Sequence, residues 1–139
     1  MGETFLFRQI EEIVDYIKSK NKGIVISVST NAVVPNFIEK ISPLIGKIDT
    51  IQVSIDGLNE VYENIRKNAS FKTLDDNLET LSDLCRGKGT DLILNMVVTE
   101  ENYREMPLLV KYSEGKGIKY MDFTLFNLVA VTEINRSYY

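Results

Sequence analysis

Histidine and tryptophan are absent from these 139 residues, and cysteine occurs once, at Cys85. Each absence removes a class of chemistry. Without histidine the commonest general base and the commonest metal ligand are gone. A single cysteine can close no disulfide within the chain and can build no multi-thiolate metal site. No apolar run approaches the roughly 18 residues that a membrane span needs. The first eight residues lack the basic-then-apolar order of a secretory signal. The expectation is a cytoplasmic chain with no membrane partner. With 16 basic and 20 acidic residues, a net charge of −4 and no basic block, a nucleic-acid partner is not expected either.

What is present suits one domain with its own core. The apolar fraction of 44% and the charged fraction of 26% are those of an ordinary globular chain, and the length leaves no room for two domains. The pattern along the chain is repetitive in kind. Residues 5–20 read as an amphipathic helix, with Ile10, Ile13, Val14 and Ile17 at helical spacing, closed at Gly23. Residues 24–29 are a β-branched strand. A short helix is expected over 35–45, with Pro35 in its first turn. Residues 50–55 alternate strictly: Ile51, Val53 and Ile55 point one way, and Gln52, Ser54 and then Asp56 the other.

A short helix is expected over 58–67, and a longer one over 74–86 with Thr73 as its cap. Leu74, Leu78, Leu81 and Cys85 form one stripe on the longer helix, which makes Cys85 a small core side chain. Residues 91–99 form a third strand. Asn102 and Glu105 have the spacing of a capping box for the next helix, which ends at Gly115-Lys116-Gly117. Residues 120–126 alternate as a fourth strand.

Strands alternating with helices of this length predict an α/β fold with a parallel sheet. In a doubly wound sheet both strand faces would be apolar. Here one face of each strand carries polar groups: Ser27, Ser29, Asn31, Gln52, Ser54, Asp56, Asn95, Thr99, Asp122 and Thr124. That favours a barrel covered by helices on the outside only. A complete eightfold barrel takes about 250 residues, so this chain can form only an open arc of about four strands. Ligands in such folds sit at the C-terminal strand ends. The hydroxyls, amides and carboxylate there suit a ribose, an amino acid or a base. They do not suit a phosphate, because no glycine-rich loop opens a helix. Taken alone, Asp56-Gly57 also reads as a simple turn former.

Five stretches, in this order and spacing, resemble the radical SAM superfamily. They are Gly2-Glu3-Thr4, Ser29-Thr30-Asn31-Ala32, Val53-Ser54-Ile55-Asp56-Gly57, Tyr62-Glu63-Asn64-Ile65-Arg66, and Asn95-Met96-Val97-Val98-Thr99 with Asn102 downstream. The branch they resemble matures peptides and cofactors and often carries an extra C-terminal cluster domain (SPASM-like). The resemblance implies a partial (β/α)6 barrel holding S-adenosylmethionine (SAM) across its strand ends. It also implies a [4Fe–4S] cluster that cleaves SAM reductively and so starts radical modification of a peptide or small metabolite.

By the resemblance Gly2 and Glu3 meet the methionine amino group, and Thr30 and Asn31 form the turn beneath the cofactor. Ser54 faces its ribose or carboxylate, with Asp56 in the same polar region. Arg66 pairs with the methionine carboxylate, as a planar bidentate donor can, and Asn95 lies near the adenosine. Read without the family, Arg66 is a solvated helix residue.

The departures are as informative. The family's CxxxCxxC loop has no counterpart, so no catalytic or metal-ligating residues are assigned. The chain is expected to be an N-terminally truncated fragment, covering roughly the second to sixth βα units as a single domain. It is expected to be inactive alone, and to hold neither a cluster nor stably bound SAM. Ala32 and Ala69 stand where glycine is usual, and Ala32 must take a tight turn that glycine makes freely. An open edge at residues 24–29 would invite a second copy. The alternatives are a non-catalytic binding or assembly module on a degenerate barrel, and an unrelated βα domain for a nucleotide-like metabolite.

Overall fold

In the computed structural model, which describes residues 3–125, four parallel strands lie in the order β1-β2-β3-β4. They are β1 (Ser27–Thr30), β2 (Thr50–Ser54), β3 (Asp91–Val98) and β4 (Tyr120–Leu125). Between them run α1 (Ile10–Lys20), before β1, then α2 (Phe37–Ile41), α3 (Asn59–Ile65), α4 (Phe71–Cys85) and α5 (Met106–Gly115). The register aligns Ser29 with Gln52, Ser54 with Asn95, and Asn95 with Asp122. Among the described residues the sheet does not close. Gly2 and residues 126–139 lie outside the described part.

The period-two pattern decides which face the helices cover. Ile51, Val53, Ile55, Leu92, Leu94, Met96 and Val98 are buried with Phe37 and Ile41 of α2 and the Leu74-Leu78-Leu81-Cys85 stripe of α4. Each such side chain contributes about 1.5–3 kcal/mol on burial. The other face carries Ser27, Ser29, Gln52, Ser54, Asn95, Asp122 and Thr124, half-buried or exposed. One apolar face under helices and one polar open face is the barrel-type arrangement.

Several boundaries differ from the sequence expectation, each for a local reason. The expected helix over 5–20 is broken. Thr4–Leu6 forms a 3-10 turn, and α1 begins only at Ile10. Phe5 is drawn into the core edge-on to Phe37, at 5.3 Å between ring centroids, and the Thr4 hydroxyl donates to the Ser29 carbonyl at 2.7 Å. These contacts tie the segment to the sheet edge. The first strand starts at Ser27 rather than residue 24. The Asp49 carboxylate accepts from the Ile26 amide at 2.7 Å, and Lys18 donates to the Ile24 carbonyl, so side chains take over backbone groups before Ser27, while the Ile26 carbonyl still accepts from the Asp49 and Thr50 amides.

Helix α2 gives way to a 3-10 turn at Ser42–Leu44, where Pro43 has no amide to donate. Helix α4 starts one turn early, at Phe71. Ser70 is its cap, its hydroxyl accepting from the Thr73 amide, so Thr73 is not the cap. Phe71 packs between Tyr62 and Tyr112, and that aromatic contact pulls the helix start forward. The capping box at Asn102 does not form. Residues Tyr103–Glu105 are a 3-10 turn, Pro107 lies in the first turn of α5, and Asn102 has another task.

Candidate functional site

The open face is built in layers by the strand register. Toward the N-terminal side, the Ser29 hydroxyl donates to Gln52 Oε1 at 3.3 Å, and Gln52 Nε2 donates to Asp122 at 3.4 Å, reaching across β3. One layer up, Ser54, Asn95 and Asp122 stand side by side on three neighbouring strands. Asn95 Oδ1 accepts from the Thr124 hydroxyl at 3.2 Å. The Ser54 hydroxyl and the Asn95 amide N–H groups have no hydrogen-bond partner among the described residues.

Two clamps bracket this face at the C-terminal strand ends. In the first, Glu3 spans the turn after β1. Its Oε1 accepts from the Thr30 hydroxyl at 2.7 Å and its Oε2 from the Asn31 amide at 2.8 Å. Asn31 Oδ1 accepts in turn from the Val33 amide. Ala32 sits at the apex, fully buried, with φ +56°, and its carbonyl accepts from Asn77 of α4. An L-residue held there costs about 1–2 kcal/mol. Ala69 shows no such strain, because Asn68 beside it takes the left-handed conformation, at φ +67°.

The second clamp is centred on Asp56, which is 6% exposed. Its Oδ2 accepts from Arg66 Nε and Nη2, both at 2.7 Å, and its Oδ1 accepts from the Val97 amide at 3.0 Å. Asn102 locks the same two loops. Its Nδ2 donates to the Asp56 and Val97 carbonyls, and its Oδ1 accepts from the amide and hydroxyl of Thr99. All four hydrogen-bonding positions of the side chain are used. Glu105 accepts from the Leu58 amide at 3.0 Å. Gly57 is required between them, since a Cβ there would lie 2.7 Å from Val61 Cγ1.

The structure thus brings Glu3, Thr30 and Asn31 together in one cluster, Asp56 and Arg66 in a second, and Ser54 with Asn95 on the wall between. One position faces differently from the sequence expectation. Asp56 does not line the open face; it turns into the loops and neutralises Arg66. Thr30 stands in the expected turn and shares the helix-side face with Val28, its hydroxyl held by Glu3. Arg66 is no solvated helix residue: it stands at the C-terminus of α3 with two of its five N–H groups on Asp56. Gly2 lies outside the described residues. Asn102 was missed as a site residue because its spacing to Glu105 suits a helix cap equally well.

The donor set does not fit an iron–sulfur cluster. Cys85 is buried on the core side of α4, and burial, then the charge of Asp91, pushes its thiol up to about 11, away from the thiolate a cluster needs. Among the described residues no three His, Cys, Asp or Glu side chains are grouped to hold a metal ion. The unpartnered hydroxyl and amide of Ser54 and Asn95, and the three remaining N–H groups of Arg66, do suit the ribose and carboxylate of a nucleoside-bearing amino acid. A hollow of about 350 Å³ beside Cys85, Thr90 and Tyr120 lies at the opposite, N-terminal ends of β3 and β4.

A parallel arc with its polar groups gathered at the strand ends defines a partial-barrel ligand fold. The family follows from the sequence match: the radical SAM superfamily model covers residues 1–112, and the chain belongs to that superfamily. Among solved structures, Streptococcus suis SuiB is similar in fold, with a TM-score of 0.72 at 14% identity over 98% of this chain. SuiB bound to S-adenosylmethionine gives 0.70 at 14% identity over 98% of this chain, and SuiB bound to its precursor peptide SuiA gives 0.71 at 15% over 92%. This chain spans 33%, 34% and 28% of those three SuiB chains respectively. No curated protein sequence matches it.

Proposed function

We propose that this chain is the strand-end wall of a SAM site, the second to sixth βα units of a radical SAM enzyme that modifies a peptide in the cytoplasm. The observation that carries it is the pair of clamps, Glu3–Thr30–Asn31 and Asp56–Arg66–Asn102, flanking the unpartnered Ser54 and Asn95. The first clamp fixes the turn after β1, so backbone groups of residues 3 and 31 can meet the methionine end. Asp56 orients Arg66, leaving three N–H groups for a carboxylate. Ser54 and Asn95 would take the ribose and adenosine.

SAM bound at such a wall supplies a sulfonium, the reactive group of the superfamily. Its reductive cleavage needs a cluster whose thiolates these 139 residues do not contain, so the chain alone is proposed to be inactive. The peptide substrate rests on the fold shared with SuiB, which binds SuiA. The test is an amide NMR titration of this chain with millimolar SAM. Weak binding is expected, with shifts confined to Thr30–Asn31, Ser54, Arg66 and Asn95. Shifts only at the N-terminal strand ends, or none, would overturn the assignment.

A further inference from the structure

Among the described residues, the part of the open face beside Ser54 and Asn95 carries one charge that neither clamp uses. Asp122, central on β4, stands beside Asn95 in register, and Asn95 in turn stands beside Ser54. Its neighbours on that face are neutral: Gln52 donates to it at 3.4 Å, and Thr124 is bonded to Asn95. The ion pairs among the described residues join other groups, and none includes Asp122. Asp91, the other carboxylate of the same strand parity, lies at the N-terminal end of β3, away from the site. By contrast Asp56, the carboxylate the motif points to, is consumed by Arg66.

We infer that Asp122 is a specificity-determining residue, whose carboxylate selects a ligand that carries a positive charge over this face. The inference rests on the open face being the ligand wall. Asp122 is exposed, and the Gln52 amide, itself held by Ser29, draws its carboxylate across β3. Among hydroxyls and amides, the partner that binds a carboxylate most strongly is a cationic donor, through a charge-assisted hydrogen bond. An ammonium or guanidinium fits; so does the sulfonium of the cofactor. A neutral isostere would leave the carboxylate unpaired, which disfavours it.

The clean variant is Asp122→Asn. Its side-chain oxygen can still accept from Gln52, so the positioning bond survives and only the charge is lost. Four probes are titrated by amide NMR into the wild-type chain and the variant: Nα-acetyl-lysine amide, Nα-acetyl-norleucine amide, SAM, and S-adenosylhomocysteine, which lacks the sulfonium charge. Well-dispersed spectra establish that the variant is folded. A charged probe should shift Ser54, Asn95 and Thr124 more strongly than its neutral counterpart. Asp122→Asn should weaken that probe roughly fivefold, as expected for a partly exposed charge-assisted contact, and leave the neutral one unchanged.

The lysine arm identifies a substrate cation and the SAM arm the cofactor's own charge; either supports the inference. If SAM shifts the strand ends equally in both proteins and the lysine probe is indifferent to the variant, the inference falls and the SAM wall stands. If no probe touches the open face, both fall.

Discussion

At the scale of single residues, the chain spends its polar groups on holding backbone. Among buried polar side chains Tyr62 stands apart. It is fully buried, and its hydroxyl is the one buried side-chain polar atom without a partner among the described residues. Burial pushes that phenol upward, against a smaller opposing effect of Arg66. An unmet buried hydroxyl costs about 1–3 kcal/mol, while the ring packs on Phe71. Tyr62→Phe should therefore leave stability unchanged or raise it by up to about 1 kcal/mol, read from urea denaturation; a loss of that size would mean the hydroxyl has a partner. Gly57 is the opposite case. Gly57→Ala forces a Cβ onto Val61 and should cost about 1–3 kcal/mol. An unchanged midpoint would show that the loop yields.

At the scale of elements, the loops after β2 and β3 act as one unit because Asn102 bonds to both. Asn102→Ala leaves the Asp56 and Val97 carbonyls and the Thr99 amide without their partner. The expected loss is about 2–4 kcal/mol, with faster hydrogen exchange at residues 56–58 and 97–102. Exchange unchanged in those loops would remove Asn102 from the clamp. Helices α4 and α5 are joined by a second polar unit. Lys116 pairs with Asp75 at 2.7 Å, and the Tyr112 hydroxyl donates to the same carboxylate.

Burial alone would raise the Asp75 carboxyl, but the Lys116 and Tyr112 contacts outweigh it and its pKa is lowered. A folded-state value below the unfolded one means the stabilisation is complete above about pH 4, the unfolded carboxylate value. It is lost as pH falls through the folded value. Asp75→Asn should thus lower stability at neutral pH and flatten the acid side of the stability profile. Parallel wild-type and variant profiles would contradict this.

Much of this was legible from sequence because it is periodic. The four strands, their apolar faces and the Leu74–Cys85 stripe follow from alternation and helical spacing, and the open polar face follows from the same parity. What was not legible depends on groups distant in sequence. Lys18 and Asp49 shorten β1, Phe37 captures Phe5, and Phe71 is drawn to Tyr112. The Asp56 orientation was equally hidden, since nothing local says that a strand-end carboxylate will meet Arg66 and the Val97 amide instead of a ligand.

At the scale of the molecule, the sheet formed by the described residues has an open edge at β1, though a shorter one than residues 24–29 suggested. Thr4 caps the Ser29 carbonyl and Glu3 the Asn31 amide, which leaves the stretch around Val25 and Ser27 to pair. Exposed Ile24 and Val25 flank it. A second copy joined along this edge is the expected assembly. Light scattering at high concentration should show a dimer, and a monodisperse monomer would contradict it.

These residues are proposed to form the cofactor wall of a radical SAM core and to supply no cluster ligands. Anaerobic reconstitution with iron and sulfide, followed by iron and sulfide counts per chain and absorption in the cluster bands, tests this most directly. Neither bound metal nor cluster absorption is expected, with the chain still folded afterwards. One [4Fe–4S] cluster per chain would contradict it.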